Sequence, residues 1–407
     1  MAHPKLRYLE AFPVEYEGQK LVCLRDPQNL SGKMLFVSSE AIFIISHFDG
    51  NHSVLDIQEK FMKQFGNLIF SDEIEGLIKQ LDEALMLDSE NYRNFKSMLE
   101  EEFKNSGVRE SSHAGLSYPH DAEEVKKWLE EFFQDAQISH PTTNHNGTIN
   151  GIISPHIDFR RGGRSYALAY RELINSDADT FIIFGTSHYA EVENPFILTC
   201  KNFTTPLGEA ETDIELVDYL SEQCNWDLFD GEIFHRQEHS IEFQVVFLQY
   251  LFGEKRKFKI VPILCNSFFR MIQSGESPSL DEKVSTFLGG VGEIISSIGN
   301  RAFVIAGADM AHVGLKFGDP EAVTESTLRW IKERDLLSLS FTEQVNAEAF
   351  FNSIEEEKDK RKICGLSPIY ALLSTVRAGR GKILHYDQAL EPDTGSVVSF
   401  ASVGFYS

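Results

Sequence analysis

Gly151-Ile152-Ile153-Ser154-Pro155-His156-Ile157-Asp158-Phe159 decides how the chain is read. Gly151, Ile152 and Ile153 carry the pattern of a buried strand's end. Pro155 has no amide hydrogen to give a ladder, so it stops that strand. His156 then stands just past the strand end. The construction recurs twice. Phe181-Ile182-Ile183-Phe184 runs into Gly185-Thr186-Ser187-His188, and Ala302-Phe303-Val304-Ile305-Ala306 runs into Gly307-Ala308-Asp309-Met310-Ala311-His312. In open α/β sheets the carboxyl edge of the strands is where ligands bind. Three histidines delivered to such an edge predict one convergent site, and imidazole is a common metal ligand near neutral pH.

Outward from this stretch the pattern changes in both directions. After Gly151, strands alternate with helices, which predicts an α/β layer architecture. Further strands are expected at Phe196–Thr199, Phe258–Leu264, Lys382–His385 and Val397–Phe405. Helices are expected at Tyr166–Leu173, Ile214–Gln223, Ile241–Leu251, Leu280–Ile298, Pro320–Leu337, Ala347–Lys360 and Pro368–Gly379. Before it, Ser139–Asn150 reads as a loop and Ala122–Phe133 as a helix with Trp128, Leu129 and Phe132 on its apolar face. Residues 88–108 read as a linker or connecting helix.

The front of the chain is different again. Short strands are expected around Val14–Tyr16, Leu21–Leu24 and Lys33–Val37, followed by helical periodicity. Ser39 is placed to cap a first helix through His47. Ser53 with Asp56 forms a capping-box-like start for Val54–Phe65, and Ser71 is placed to cap a third helix. The expected organisation is a small, mainly helical domain over residues 1–100 and an α/β domain over residues 109–407.

Composition narrows the function. The chain has 407 residues, 42% of them hydrophobic and 25% charged, with a formal net charge of −24. That charge disfavours nucleic acid and anionic membrane as partners. No apolar stretch approaches the ~20 residues of a membrane helix, and Met1-Ala2-His3-Pro4-Lys5 lacks the apolar core of a signal peptide. Cys23, Cys200, Cys224, Cys265 and Cys364 are dispersed, with no Cys-x-x-Cys, as expected for a reducing cytoplasm.

A second constellation is Gln237-Glu238-His239-Ser240-Ile241-Glu242, opening an apolar helix. His239 and Glu242 are three apart and would share a helical face. A carboxylate there would orient the imidazole and raise its basicity. Glu238 is the other carboxylate within reach. Arg160, Arg161 and Arg164 follow the first histidine turn and could attract an anionic substrate. Tyr189 and Phe159 could form apolar walls.

From Arg109 onward the chain resembles the Memo family, itself similar in structure to the class III extradiol dioxygenases. The residues that carry the resemblance run in order: Arg109-Glu110-Ser111-Ser112-His113-Ala114-Gly115, Pro155-His156, Gly185-Thr186-Ser187-His188 and Glu238-His239-Ser240-Ile241-Glu242. Ile260-Val261-Pro262-Ile263-Leu264, Asp309 with His312, Ile363-Cys364-Gly365 with Pro368, and Ser399-Phe400-Ala401 complete it. The resemblance implies a pocket for a divalent metal. Fe(II) is the metal it favours, with Zn or Cu as alternatives. By motif His156 and His188 take ligand places, while His239, set by Glu238 or Glu242, takes the acid–base place. In animal Memo a cysteine precedes the histidine matching His312; Ala311 stands there in this chain. The third ligand therefore stays open between Asp309, which would complete a facial triad suited to Fe(II), and His312; a three-histidine site with His239, for Zn or Cu, is also open. Arg160, Tyr189 and Glu238 are expected to face substrate.

The resemblance implies either a metal-dependent dioxygenase-type oxidoreductase or a non-catalytic protein that binds a peptide or partner. Bacterial and archaeal members associate by gene neighbourhood with radical-SAM proteins. The front segment more weakly resembles the winged-helix, PqqD-like peptide-recognition domains through Phe48-Asp49-Gly50-Asn51-His52-Ser53, Ile57, Phe61 and Leu81–Leu87. The expected partners are a small molecule or peptide, and a radical-SAM protein.

Overall fold

In the computed structural model of the chain, residues 3–16, 18–28, 30–139, 147–190 and 192–407 are described. Most of the loop expected over Ser139–Asn150 lies outside the described residues. The chain divides into two units, Met1–Asn105 and Ser106–Ser407.

The first unit begins with three strands, β1 (Glu10–Tyr16), β2 (Gln19–Arg25) and β3 (Met34–Val37), paired antiparallel in that order. Helices α1 (Ser39–Ile45), α2 (Val54–Phe65), α3 (Ser71–Glu83) and α4 (Glu90–Asn105) follow. Ile57 and Phe61 on α2 meet Ile74, Ile78 and Leu81 on α3 in one core with Leu24 and Phe48. The Ser53–Asp56 capping box forms with both reciprocal hydrogen bonds. Two expected caps shift by one residue. Ser38, not Ser39, caps α1, because its extended backbone lets the hydroxyl reach the amide of Ala41. Phe70, which has no oxygen to offer, precedes α3, and Ser71 lies inside it. The stretch expected as a linker or helix is the helix α4.

The second unit holds an eleven-stranded sheet. Its strands are β4 (Val108–Arg109), β5 (Ile149–Ser154), β6 (Thr180–Thr186), β7 (Phe196–Leu198), β8 (Asn202–Thr205), β9 (Gly208–Thr212), β10 (Lys259–Cys265), β11 (Ala302–Gly307), β12 (Asp309–Gly314), β13 (Arg380–Glu391) and β14 (Ser396–Tyr406). They run in the order β12-β14-β5-β11-β6-β10-β9-β8-β4, with β13 on β14 and β7 on β10. The centre, β5, β11, β6, β10 and β9, is parallel; β14 is antiparallel to its neighbours. Nine helices accompany the sheet among the described residues: α5 (Ala122–Ser139), α6 (Phe159–Tyr170), α7 (Ile214–Gln223), α8 (His239–Phe252), α9 (Phe269–Ser274), α10 (Glu282–Ile298), α11 (Glu325–Glu343), α12 (Ala347–Glu355) and α13 (Leu366–Thr375).

The continuous apolar runs in β5, β6 and β11 are explained by burial on both faces. Ile152, Phe181, Ile183, Phe303 and Ile305 point into a core with Phe159 and Tyr166 of α6 and Val246 and Phe247 of α8. Their alternates, Ile153, Ile182, Phe184, Val304 and Ala306, point into a second core with Phe287 and Val291 of α10 and Ile369 of α13. Strand geometry puts successive side chains on opposite faces, so each run feeds two cores. Phe159 is fully buried in the first of these, so it packs the core and forms no pocket wall.

Two expectations change here. The helix expected at Pro320–Leu337 starts at Glu325, where Thr324 supplies the cap, and runs to Glu343. The segment from Asp309 to His312 is no loop beyond β11. It turns at once into β12, which pairs with β14 through Asp309↔Phe400 and His312↔Val398. No helix among the described residues is long and apolar enough to cross a membrane.

Candidate metal centre

β5 ends at Ser154 and β6 at Thr186, so His156 and His188 come off two parallel strands separated only by β11. His239 is the first residue of α8, whose N-terminus presses against the same edge. Two glycines allow that approach. A Cβ on Gly185 would lie 2.5 Å from Ile241 Cγ1 and 2.6 Å from Ser240 Oγ, and one on Gly307 would lie 2.5 Å from Ser240 O. Ser240 Oγ also donates to Thr186 O at 2.9 Å. Any larger residue at 185 or 307 would push α8, and His239 with it, away from the strand ends.

One ring nitrogen from each of His156, His188 and His239 lies within 4.8 Å of the others, a group able to hold a metal ion. Each ring is fixed by its Nδ1. His156 Nδ1 is 2.9 Å from Gly307 O. His188 Nδ1 is 3.0 Å from both oxygens of Glu238, and His239 Nδ1 is 3.2 Å from Glu238 Oε1. With Nδ1 occupied as donor, the neutral ring keeps its lone pair on Nε2 for a metal. The His188 and His239 rings are nearly parallel, 16° apart with centroids 4.9 Å apart. His156 is buried; the side chains of His188 and His239 keep 22% and 24% of their surface, which leaves the group open on one side.

The electrostatics treat the three rings differently. Burial lowers the His156 imidazole, and burial lowers His239 to about 4, so both are neutral at pH 7. Burial also acts on His188, but the charge and hydrogen bonding of Glu238, with Asp309, outweigh it and raise that imidazole. Burial alone would raise the Glu238 carboxyl; His188 and His239 hold it well below the ordinary range. Glu238 is also the N-cap of α8, accepting from Ser240 N at 3.0 Å and from His188 N at 3.0 Å. It orients two histidines at once.

Asp309 stands beside the group. Its Oδ1 accepts from His156 N at 2.9 Å, and its Oδ2 lies 3.7 Å from His156 Nε2. His312 does not join. Its Nδ1 sits 3.2 Å from Met310 O and its ring packs edge-on to Phe317 at 5.0 Å, as its place in β12 dictates. Tyr189 stands next to His188, ring centroids 5.9 Å apart. A cavity of about 260 Å³ opens beside His188 and is also lined by Thr186, Ser187, Ser267, Cys364 and Ser367. Arg160 is exposed in the first turn of α6 and does not line that cavity; Arg161 is held by Asp158 and Glu391.

Glu242 does not meet His239 among the described residues. Its carboxylate lies one turn further along α8, where it forms an ion pair with the fully buried Arg109. It also accepts from Ser112 N at 3.1 Å, Ser112 Oγ at 3.0 Å, His113 N at 3.0 Å and the Tyr118 hydroxyl. Burial would raise it, but Arg109 and these donors hold it at about 2. Arg109 also donates to Glu238 O at 2.8 Å and His235 O at 2.9 Å, bracing the start of α8 from behind. The helical i, i+3 relation between His239 and Glu242 is present, yet the nearer guanidinium takes the carboxylate.

The family model described as "Memo-like protein" matches residues 109–404. The chain belongs to the Memo family. A MEMO1 family protein of Aquifex aeolicus is 32% identical over 99% of this chain and 100% of its own length. One from Methanosarcina acetivorans is 28% identical over 73% of this chain and 98% of its own length. The "Protein memo-1 homolog" of Caenorhabditis elegans is 28% identical over 76% of this chain and 87% of its own length. His156, His188, His239 and Asp309 all fall in the Memo-matched stretch. Three participants escaped the sequence reading: the Glu238 bridge between two histidines, the Arg109 brace, and Cys364. All three sit in quoted Memo fragments, and no spacing specifies the direction of their side chains.

Proposed function

We propose that this Memo protein is a metal-dependent oxidoreductase of the extradiol-dioxygenase type, acting at the edge where β5 and β6 end. The observation that carries the reading is the set of three imidazoles with anchored Nδ1 atoms and nitrogens within 4.8 Å. His156 and His188 are the ligands, and Asp309 Oδ2 is the carboxylate nearest them. A divalent metal, Fe(II) with Zn or Cu as alternatives, would supply Lewis acidity and, for Fe(II), open positions for substrate and oxygen. His239, neutral and set by Glu238, accepts a proton from a substrate held against it, while Tyr189 bounds the substrate's side. Glu242 acts only through Arg109 and the frame of α8.

The same 4.8 Å spacing favours a variant in which His239 is itself the third nitrogen ligand. Metal content of His188→Ala and His239→Ala, with oxygen consumption on catechol-like substrates, tests both. His188→Ala is expected to lose most metal, and His239→Ala to keep it and lose turnover. Loss of metal in both variants establishes the three-histidine set; full metal in His188→Ala overturns the ligand assignment.

A second reading concerns the front unit. β3 is an edge strand with Met34 54% and Phe36 52% exposed, a platform on which a peptide could add a strand. It is compatible with peptide handling beside a radical-SAM partner. Protection of the Met34–Val37 amides from hydrogen exchange by peptides of such a system is the expected result; unchanged exchange at saturating peptide counts against it.

A further inference from the structure

Along β14, Val397 and Ala401 face the core shared with Ile369, and strand alternation puts Ser399 between them on the same face. Ser399 is fully buried. A hydroxyl in such an apolar row is costly unless it is hydrogen-bonded. Ser399 Oγ donates to Asp335 Oδ2 at 2.5 Å and accepts from Ala311 N at 2.8 Å. Asp335, fully buried on α11, is paired with the equally buried Arg361 and accepts from the Tyr386 hydroxyl at 2.8 Å.

Ala311 lies in a β-bulge. Between the pairs Asp309↔Phe400 and His312↔Val398, β12 takes three steps while β14 takes two. Met310 and Ala311 consequently enter the same core, although neighbours on a regular strand face opposite ways. The extra residue of a bulge leaves the ladder, and bulges beside sites re-aim a side chain. Here Ser399 takes the amide of Ala311, and Arg361 O takes that of His312 at 2.7 Å. Arg361 thus holds the bulge twice, through its own carbonyl and through Asp335 and Ser399. The side chain at the head of the bulge is Asp309. Its Oδ1 accepts from His156 N at 2.9 Å, and its Oδ2 stands 3.7 Å from His156 Nε2.

We propose that Ser399, anchored by the Asp335–Arg361 pair, is a positioning residue: it holds the bulge of β12 that aims Asp309 at His156. Ser399 acts through Asp309 alone. Its bearing on metal affinity rests on the metal site of the preceding section, whereas the aim of Asp309 is readable without metal.

Ser399→Ala and Ser338→Ala, in the full-length chain, test this together. Ser338 is a fully buried hydroxyl on α11 that accepts from Arg361 Nη2 at 3.0 Å and from Ser353 Oγ at 2.9 Å, with no bond to β12 among the described residues. The first readout is the His156 amide in the isotope-labelled, metal-free chain, followed by NMR hydrogen exchange. In Ser399→Ala it is expected to exchange roughly tenfold faster or more, as its carboxylate acceptor swings away. Zn(II) affinity, by chelator competition, is expected to fall roughly 10–100-fold. Ser338→Ala keeps both at wild-type values, and Ser399→Thr, which retains the hydroxyl, keeps the His156 amide protected. Unchanged His156 exchange in Ser399→Ala overturns the proposal. So does equal loss of protection in Ser338→Ala, or a Ser399→Thr that loses it as fully as alanine does. A wild type that binds no Zn(II), with His156 still responding to Ser399→Ala, overturns the metal reading and leaves the aiming of Asp309 standing.

Discussion

Glu238 and Glu242 sit one helical turn apart at the start of α8, both buried, and they do opposite things. Glu242 faces a fixed cation, Arg109, and four other donor contacts; its charge is fully matched and points away from the open side. Glu238 faces two imidazoles whose charge depends on what binds them, next to a cavity. A buried carboxylate is structural when its partner's charge is permanent, and available for chemistry when its partner's charge can change.

Arg109→Met is the strongest way to break this contrast. It strands Glu242 without a counter-charge, and the expected cost is about 3–5 kcal/mol of folding stability, read from denaturant midpoints. A loss under about 1 kcal/mol would mean that the pair is not the support described. Glu238→Gln should do the reverse. It keeps the shape of the cap but presents an amide hydrogen to one of two rings that each need an acceptor. Metal affinity should fall roughly 10–100-fold by chelator competition, with a smaller stability change than Arg109→Met gives. Tyr118→Phe removes one of several donors from Glu242 and should cost about 1 kcal/mol without altering metal affinity.

Asp359 sharpens the contrast as a carboxylate whose burial is not outweighed. Burial is the largest influence on it; Ile363 N and Arg361 counteract only partly, and it is raised to about 6. A folded value above the unfolded one means the folded state holds the proton more tightly. That stability is fully present below about pH 4 and is lost as pH rises through about 6, by on the order of 1 kcal/mol. Asp359→Asn should flatten the stability profile across that window. An unchanged slope would show that the carboxyl is not held protonated.

The architecture was legible because β5, β6 and β11 are buried on both faces, and only apolar runs of that kind satisfy such strands. The histidines that leave β5 and β6 could be read from the same runs, since Pro155 stops the β5 ladder and the apolar run of β6 gives way to Thr186, Ser187 and His188, whereas His312, expected just past β11, sits inside β12. The strand β12 was not legible, since Asp309-Met310-Ala311-His312 lacks apolar alternation and gains its pairing from β14, some 90 residues later. Helical spacing correctly put Glu242 on the face of His239, but spacing carries no information about a guanidinium arriving from Arg109 on a distant strand.

The near-parallel stacking of His188 and His239 on one carboxylate has a thermodynamic consequence. Freezing a side chain's rotamers carries an entropy cost of up to ~2 kcal/mol, and here folding has already settled it for both rings together. An arriving ion therefore orders no imidazole. Its binding entropy should be governed by released water, and the order parameters of the two rings should be the same before and after loading.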